Sequence, residues 1–330
     1  MNRFWCRLIA SVFITSLVGL SGCKREHEYM MQGIIWNTEY HIKYFASEDL
    51  SDSILSQLKR VEESVSIFTP NSLVNHVNDA DSVEIDEIFK EIYVTSLRIN
   101  EESGGYFDPT LAPLIEAYGF AGKEGKLPDK RATDSIMQFV GIGKTHMDGN
   151  RLLKADPRLK FNFSAIAKGY ACDMVGNYLS KHGDGNYLVE IGGEVKAGGV
   201  NPKGGKWRIQ VDKPVFSSDS VVHEAQVVIG ISNCGVATSG NYRNYRQTEG
   251  KRIGHTFDPH TGEPALNDML SATIVSSTCM EADAYATACM AMGFEKAKEM
   301  VEKQKLSALL ISSEGNIWMS EEFRKLIITD

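Results

Sequence analysis

The stretch that constrains this chain most is "EADAYATACMAMG", residues 281–293. A run dominated by Ala and Met, with Tyr and Cys, reads as the start of a well-packed helix, because such side chains enter a helix at little entropic cost and let neighbours approach. Asp283 and Thr287 stand four apart within it, hence on one face. A purely structural account would have Asp283 cap the helix and Thr287 bond its own backbone. What else an acid and a hydroxyl could do among small apolar neighbours depends on the rest of the chain.

At 330 residues, 42% hydrophobic and 24% charged, the chain can bury a sizeable core, and no Gly/Ser/Pro-rich or charge-run linker divides it, so one domain with two lobes is expected. The formal net charge of -8, without a clustered Lys/Arg face, argues against a nucleic-acid partner. Arg3 and Arg7 precede the apolar run "LIASVFITSLVGL", too short to span a membrane comfortably, which marks residues 1–22 as a secretory signal. It ends in Leu20-Ser21-Gly22-Cys23, which resembles a bacterial lipobox, where Cys23 is lipidated and becomes the new N-terminus. Residues 23–32 are then a lipidated tether and 33–330 a soluble domain, anchored through lipid to the membrane of the bacterial cell envelope and facing the periplasm or exterior. The remaining Cys172, Cys234, Cys279 and Cys289 have no zinc-like spacing and are expected as buried free thiols, although an oxidising compartment permits a disulfide.

Residues 33–45 alternate as a strand, 50–65 carry apolar residues at helical spacing, and a second helix over 86–103 ends at Gly104-Gly105. "FNFSAIAKGYACDMVGNYL" reads as a short strand, a turn and a helix starting near Ala165. "GNYLVEIGGEVKAGG" reads as a strand bent at Gly192-Gly193. Strands are expected at 206–212, 225–231 and 271–277, a helix pair over 280–304 broken at Gly293, and a strand pair over 307–319 turning at Gly315. Strands and helices interleave without βαβ regularity, which predicts an α+β fold.

Several polar or glycine-rich segments lie scattered along the chain, and such segments converge when they build a site. Lys168 and Asp173 are expected at a helix start, where free N–H groups favour an anion. Gly192 and Gly193 let the backbone approach a ligand. Thr238, Ser239, Gly240 and Arg243 are expected in one turn suited to phosphate oxygens, and His255 and Asp258 in a stiffened loop. Each alone is also an ordinary turn, bulge or solvated lysine. His255 and His260, with a proline between them and no third ligand near, are a weak zinc motif.

Taken in order, "NTEYHIKY", "SIFTPNSLVNHVN", "GGYFDPTLAPL", "FNFSAIAKGYACD", "YLVEIGGEVKAGG", "VATSGNYRNY", "GHTFDPHTGEP" and "EADAYATA" resemble the FAD:protein FMN transferase (ApbE) family over nearly the whole mature chain. The resemblance implies an ApbE-like flavin transferase fold, two mixed α/β lobes around a central FAD/metal cleft. It implies an enzyme that splits FAD, attaches the FMN half through a phosphoester bond to a Thr or Ser of an extracytoplasmic acceptor protein, and releases AMP. It places Mg2+ on Asp283, Thr287 and the Ala165 carbonyl, and FAD against Trp36, Phe68, Asn162, Ser164, Lys168, Gly192, Gly193, Thr238 and His255. Lys168 and His255 are the expected catalytic pair, the first adding positive charge near the phosphates or holding the flavin, the second taking the acceptor's proton. Trp36-Asn37-Thr38 stands where the family often has Met-Gly-Thr, Phe68 where tyrosine is frequent, and Asn162 where aspartate is common, departures that bear on flavin affinity and orientation. Two other readings keep the same site: an FAD pyrophosphatase that uses water as acceptor, and an FAD-binding lipoprotein without chemistry.

Overall fold

The computed structural model describes residues 26–120, 127–214, 225–240, 245–248, 251–254 and 256–328, with backbone only at 245–248 and 251–253. The chain opens with β1 (His27–Ile35) and β2 (Thr38–Ala46), an antiparallel hairpin in which Ile35 faces Thr38. The single strand expected over 33–45 is thus two strands, broken at Trp36 and Asn37, whose φ values of 50° and 59° are the left-handed pair a tight hairpin turn requires. Asn37 suits that conformation but Trp36 does not, and without a glycine the turn's composition signal is weak. Residues 27–32, expected as tether, are sheet edge.

Then follow α1 (Ser51–Val65), α2 (Glu87–Glu102), α3 (Ala167–His182), β3 (Tyr187–Ile191), β4 (Glu194–Gly198), β5 (Trp207–Asp212) and β6 (Ala225–Ile231). The chain continues through β7 (Cys234–Gly240), β8 (Met269–Ser276), α4 (Cys279–Met292), α5 (Phe294–Gln304), β9 (Ser307–Ser312) and β10 (Ile317–Met319). Eight strands form one sheet in the order β1-β2-β3-β4-β7-β8-β9-β10, with every neighbouring pair antiparallel. The bend expected at Gly192-Gly193 is the β3–β4 hairpin turn.

Alternation divides the sheet's side chains between two cores. Ile42, Val189, Ala237, Ile274 and Leu310 face the helices, where Ile54, Leu58 and Val61 of α1 and Phe89 and Ile92 of α2 join them. Val195, Val236, Val275, Leu309 and Ile311 face the β5–β6 hairpin through Trp207, Val211 and Ile229, together with Phe323. The mixture of helix and sheet expected from the sequence is present.

Helix α4 lies against α3, β7 and β8 and is buried almost all round, its first turn capped by Thr278, which accepts from the Glu281 N–H. Its start is held where two glycines allow backbone contact. A Cβ on Gly169 of α3 would stand 2.4 Å from the Cys279 carbonyl oxygen, and one on Gly235 of β7 2.3 Å from the Cys279 backbone. Cys172, Cys234, Cys279 and Cys289 are free thiols.

Candidate functional site

The helix expected to begin near Ala165 begins at Ala167, and the difference builds the site. In a helix running from Ala165, the Gly169 N–H would close on the Ala165 carbonyl four residues back. It donates instead to Asp283 Oδ2 on α4, at 3.1 Å. Among the described residues the Ala165 carbonyl then accepts no hydrogen bond, and Asp283 Oδ1 has no partner. Thr287, one turn along, has its Oγ1 3.4 Å from Ser239 Oγ. Neither structural account of the pair holds: Thr278 is the cap, Asp283 bonds a different helix, and Thr287 meets a strand.

Asp283 is only 2% exposed. Burial raises its acid above the ordinary carboxylate range, against the pull of the Lys168 charge and the Gly169 N–H. A carboxylate, a hydroxyl and an unpaired carbonyl are the hard oxygen donors that suit magnesium, and such a partial set leaves positions for phosphates and water. Among the described residues no cluster of three or more His, Cys, Asp or Glu offers an alternative metal site.

Lys168, in the first turn of α3, places its Nζ 2.7 Å from Glu194 Oε1 on β4, with the lysine side chain 32% exposed and the glutamate 5%. Burial works against the ammonium, but Glu194 and Asp283 outweigh it, so Lys168 stays charged well above its ordinary range. Burial pushes the Glu194 acid up to about 7; Lys168 opposes this and Asp283 adds to it. Glu194 Oε2 is buried without a hydrogen-bond partner.

A second buried pair runs beside the first. Asp173 of α3 lies 3.0 Å from Lys196 Nζ on β4, and its two oxygens accept from the Cys279 and Met280 N–H groups at 3.0 and 2.8 Å. The expectation that Asp173 shares an anion-favouring helix start with Lys168 is corrected: it lies in the second turn and ties α3 to the start of α4.

Other expected residues gather at the β3–β4 turn. Gly192 (φ 64°) and Gly193 (φ 100°) make that turn, and a Cβ on Gly192 would stand 2.8 Å from Thr38 Oγ1 and 3.4 Å from Lys168 Cδ. The β1–β2 turn, the β3–β4 turn and Lys168 therefore meet, with the indole N–H of Trp36 buried and unpartnered. Asn162 Oδ1 accepts from the Ser164 N–H at 2.9 Å, shaping the entry to α3, and Asn162 N donates to Pro109 O at 2.7 Å. Phe68 is 75% exposed.

The turn expected to unite Thr238, Ser239, Gly240 and Arg243 is corrected: Thr238–Gly240 close β7, where pairing with Thr273, Ala272 and Ser271 of β8 overrides the turn-like composition. Thr238 Oγ1 meets Thr273 Oγ1 at 2.9 Å on the face carrying Val236, away from α4, and Ser239 faces Thr287. Arg243, His255 and Cys23 lie outside the described residues. His260 clamps two loops, with Nδ1 3.0 Å from Asp258 Oδ1, Nε2 3.0 Å from Gly104 O, and its ring 4.4 Å from that of Tyr106.

Sequence reasoning missed Glu194, and it put Ser239 in a phosphate-binding turn where the structure sets it opposite Thr287. One signal for Glu194 existed: the charges of Lys168 and Asp173 on α3 are the complement of Glu194 and Lys196 on β4.

Fold and site together define an antiparallel α+β protein whose helices and sheet enclose an oxygen set beside a fixed ammonium. A family model described as the ApbE family matches residues 36–310. The FAD:protein FMN transferase of Haemophilus influenzae is 33% identical over 347 residues, covering 98% of this chain and 99% of that one. Its counterpart in Vibrio cholerae is 34% identical over 314 residues, covering 91% and 92%. Among solved structures, the apo flavinyl transferase ApbE of Pseudomonas stutzeri matches with a TM-score of 0.83 at 29% identity, covering 92% of this chain and 98% of that one. The chain belongs to the ApbE family, an enzyme family whose relatives named above are transferases.

Proposed function

We propose that this chain is a magnesium-dependent FAD:protein FMN transferase, which links FMN through a phosphoester bond to a Thr or Ser of an acceptor protein and releases AMP. The observation that carries the reading is the Gly169–Asp283 hydrogen bond, which leaves an acid oxygen and the Ala165 carbonyl unpaired beside Lys168, in a chain similar to such transferases over nearly its full length.

In this reading the acceptor oxygen attacks the FMN-side phosphorus of the FAD pyrophosphate, a new P–O bond forms, and the bond to the AMP phosphate breaks. Asp283, Thr287 and Ala165 would hold the magnesium. Bound there, it would supply charge neutralisation at the pyrophosphate. Lys168, charged throughout the physiological range and partly exposed, turns a fixed positive charge to the phosphates. Too strongly held to give up a proton, it leaves the base role to His255, which takes the hydroxyl proton in our reading. Trp36, Phe68, Asn162, Ser164, Gly192 and Gly193 bound the flavin side.

We also propose that Cys23 carries the lipid. β1 starts at His27, so the enzyme would sit close to the membrane surface, in the periplasm or outside the cell. Among the described residues no helix is long and apolar enough to cross a membrane.

The test is to incubate the full-length protein in detergent with FAD, magnesium and a protein bearing a flavinylation threonine, then weigh the acceptor. A magnesium-dependent gain of one FMN is expected. FMN and AMP released without that gain would identify a hydrolase, and intact bound FAD a carrier.

A further inference from the structure

Lys168 pairs with one buried carboxylate, Glu194, while the backbone of the next residue, Gly169, bonds a second, Asp283. Asp283 is close enough for its charge to bear on both Lys168 and Glu194. An ammonium in such a place pairs with whichever acid is better presented, and pairing with Asp283 would set a positive charge against the oxygen left open by the Gly169 bond. The backbone holds Glu194 where it can compete. Its carbonyl accepts from Cys172 Sγ at 3.3 Å, the next residue, Val195, is anchored in the second core, and the Gly192-Gly193 turn precedes it. Its Oε2 is buried without a hydrogen-bond donor, so among the described residues Lys168 is the group that steadies this acid in its ionised form.

We infer that Glu194 is a positioning residue that draws Lys168 away from Asp283 and so keeps Asp283 available to a divalent cation. The inference rests on the metal reading given above. It assigns the lysine–glutamate pair a purpose that packing alone does not: without Glu194 the lysine becomes a competitor for the metal site.

Mn2+ is the probe, titrated into metal-stripped full-length protein in detergent without FAD, with free Mn2+ read by electron paramagnetic resonance and each variant's melting temperature measured alongside. Glu194→Gln is expected to weaken Mn2+ binding about tenfold, the effect of an unscreened neighbouring charge of moderate strength. Adding Lys168→Met to that variant should restore binding, because the competitor is gone. Lys168→Met alone should bind Mn2+ at least as well as the wild type, which carries the test if Glu194→Gln fails to fold. Glu194→Gln binding like the wild type, a double variant no tighter than Glu194→Gln, or a loss of affinity in Lys168→Met overturns the inference alone. A wild type with no Mn2+ binding that Asp283→Asn removes overturns the metal reading and this inference together.

Discussion

The backbone N–H of Gly169 on α3 donates to Asp283 Oδ2 on α4 at 3.1 Å, across a helix contact with no side chain from Gly169 between them. That bond orients the acid and withholds from the Ala165 carbonyl the donor that a continuing helix would supply. Two of the proposed metal ligands thus depend on one glycine.

Replacing Gly169 by alanine should separate the two helices, since the new Cβ would lie 2.4 Å from the Cys279 carbonyl oxygen and 2.9 Å from Asp283 Cβ. Overpacking of this kind costs about 1–3 kcal/mol. A lowered melting temperature together with loss of flavin transfer is expected; an alanine variant that melts and works like the wild type would show that the contact can relax without disturbing the site.

Asp283→Ala should lose FMN transfer by about a thousandfold or more, the scale of a missing charged ligand to a catalytic metal. The fold should survive, because the change removes a carboxylate that burial already disfavours. Mass analysis of the acceptor and a melting curve read both. Undiminished transfer that still requires magnesium would place the metal elsewhere.

Lys168→Ala should raise the KM for FAD about ten- to a hundredfold, as expected for losing a charge-assisted contact. The lysine stays charged across the working pH range, so the wild-type pH profile should owe no inflection to it. Steady-state kinetics at limiting FAD decide the matter, and an unchanged KM removes Lys168 from the substrate site.

Glu194 gives a pH signature in the metal-free protein. Its acid is pushed from 4.5 to about 7, by burial first and by Asp283, while Lys168 pulls the other way. Between those values the folded chain holds a proton that the unfolded chain releases. This contribution to stability is complete below about 4.5 and is lost as pH rises through 7. The melting temperature of the wild type minus that of Glu194→Gln should therefore fall between pH 4.5 and 7.5, by the equivalent of a few kcal/mol at most. A difference that stays flat over that range would mean that Glu194 is ionised throughout.

Much of this was legible in the residues. The four-residue spacing of Asp283 and Thr287 fixed their common face, and the apolar spacing of Ile54, Leu58 and Val61 located α1. What was hidden depended on partners distant in sequence. Trp36 and Asn37 adopt left-handed conformations that only the β1–β2 pairing demands. Thr238 and Ser239 look like turn residues until β8 pairs with them, and strand parity then decides which of them meets α4. Glu194 and Lys196 alternate with Val195 and Ala197 as an exposed strand would, yet all are buried, because α3 brings the opposite charges.

Those two ion pairs also work as a polarised plug. Read along α3 the charges run positive then negative, and along β4 negative then positive. A helix displaced by the spacing of its two charges would set Lys168 against Lys196 or Asp173 against Glu194, where little water reaches to soften the repulsion. The correct seating is the one in which Asp173 also captures the first N–H groups of α4. The chain thus carries its own proof of alignment, completed as the last site helix docks.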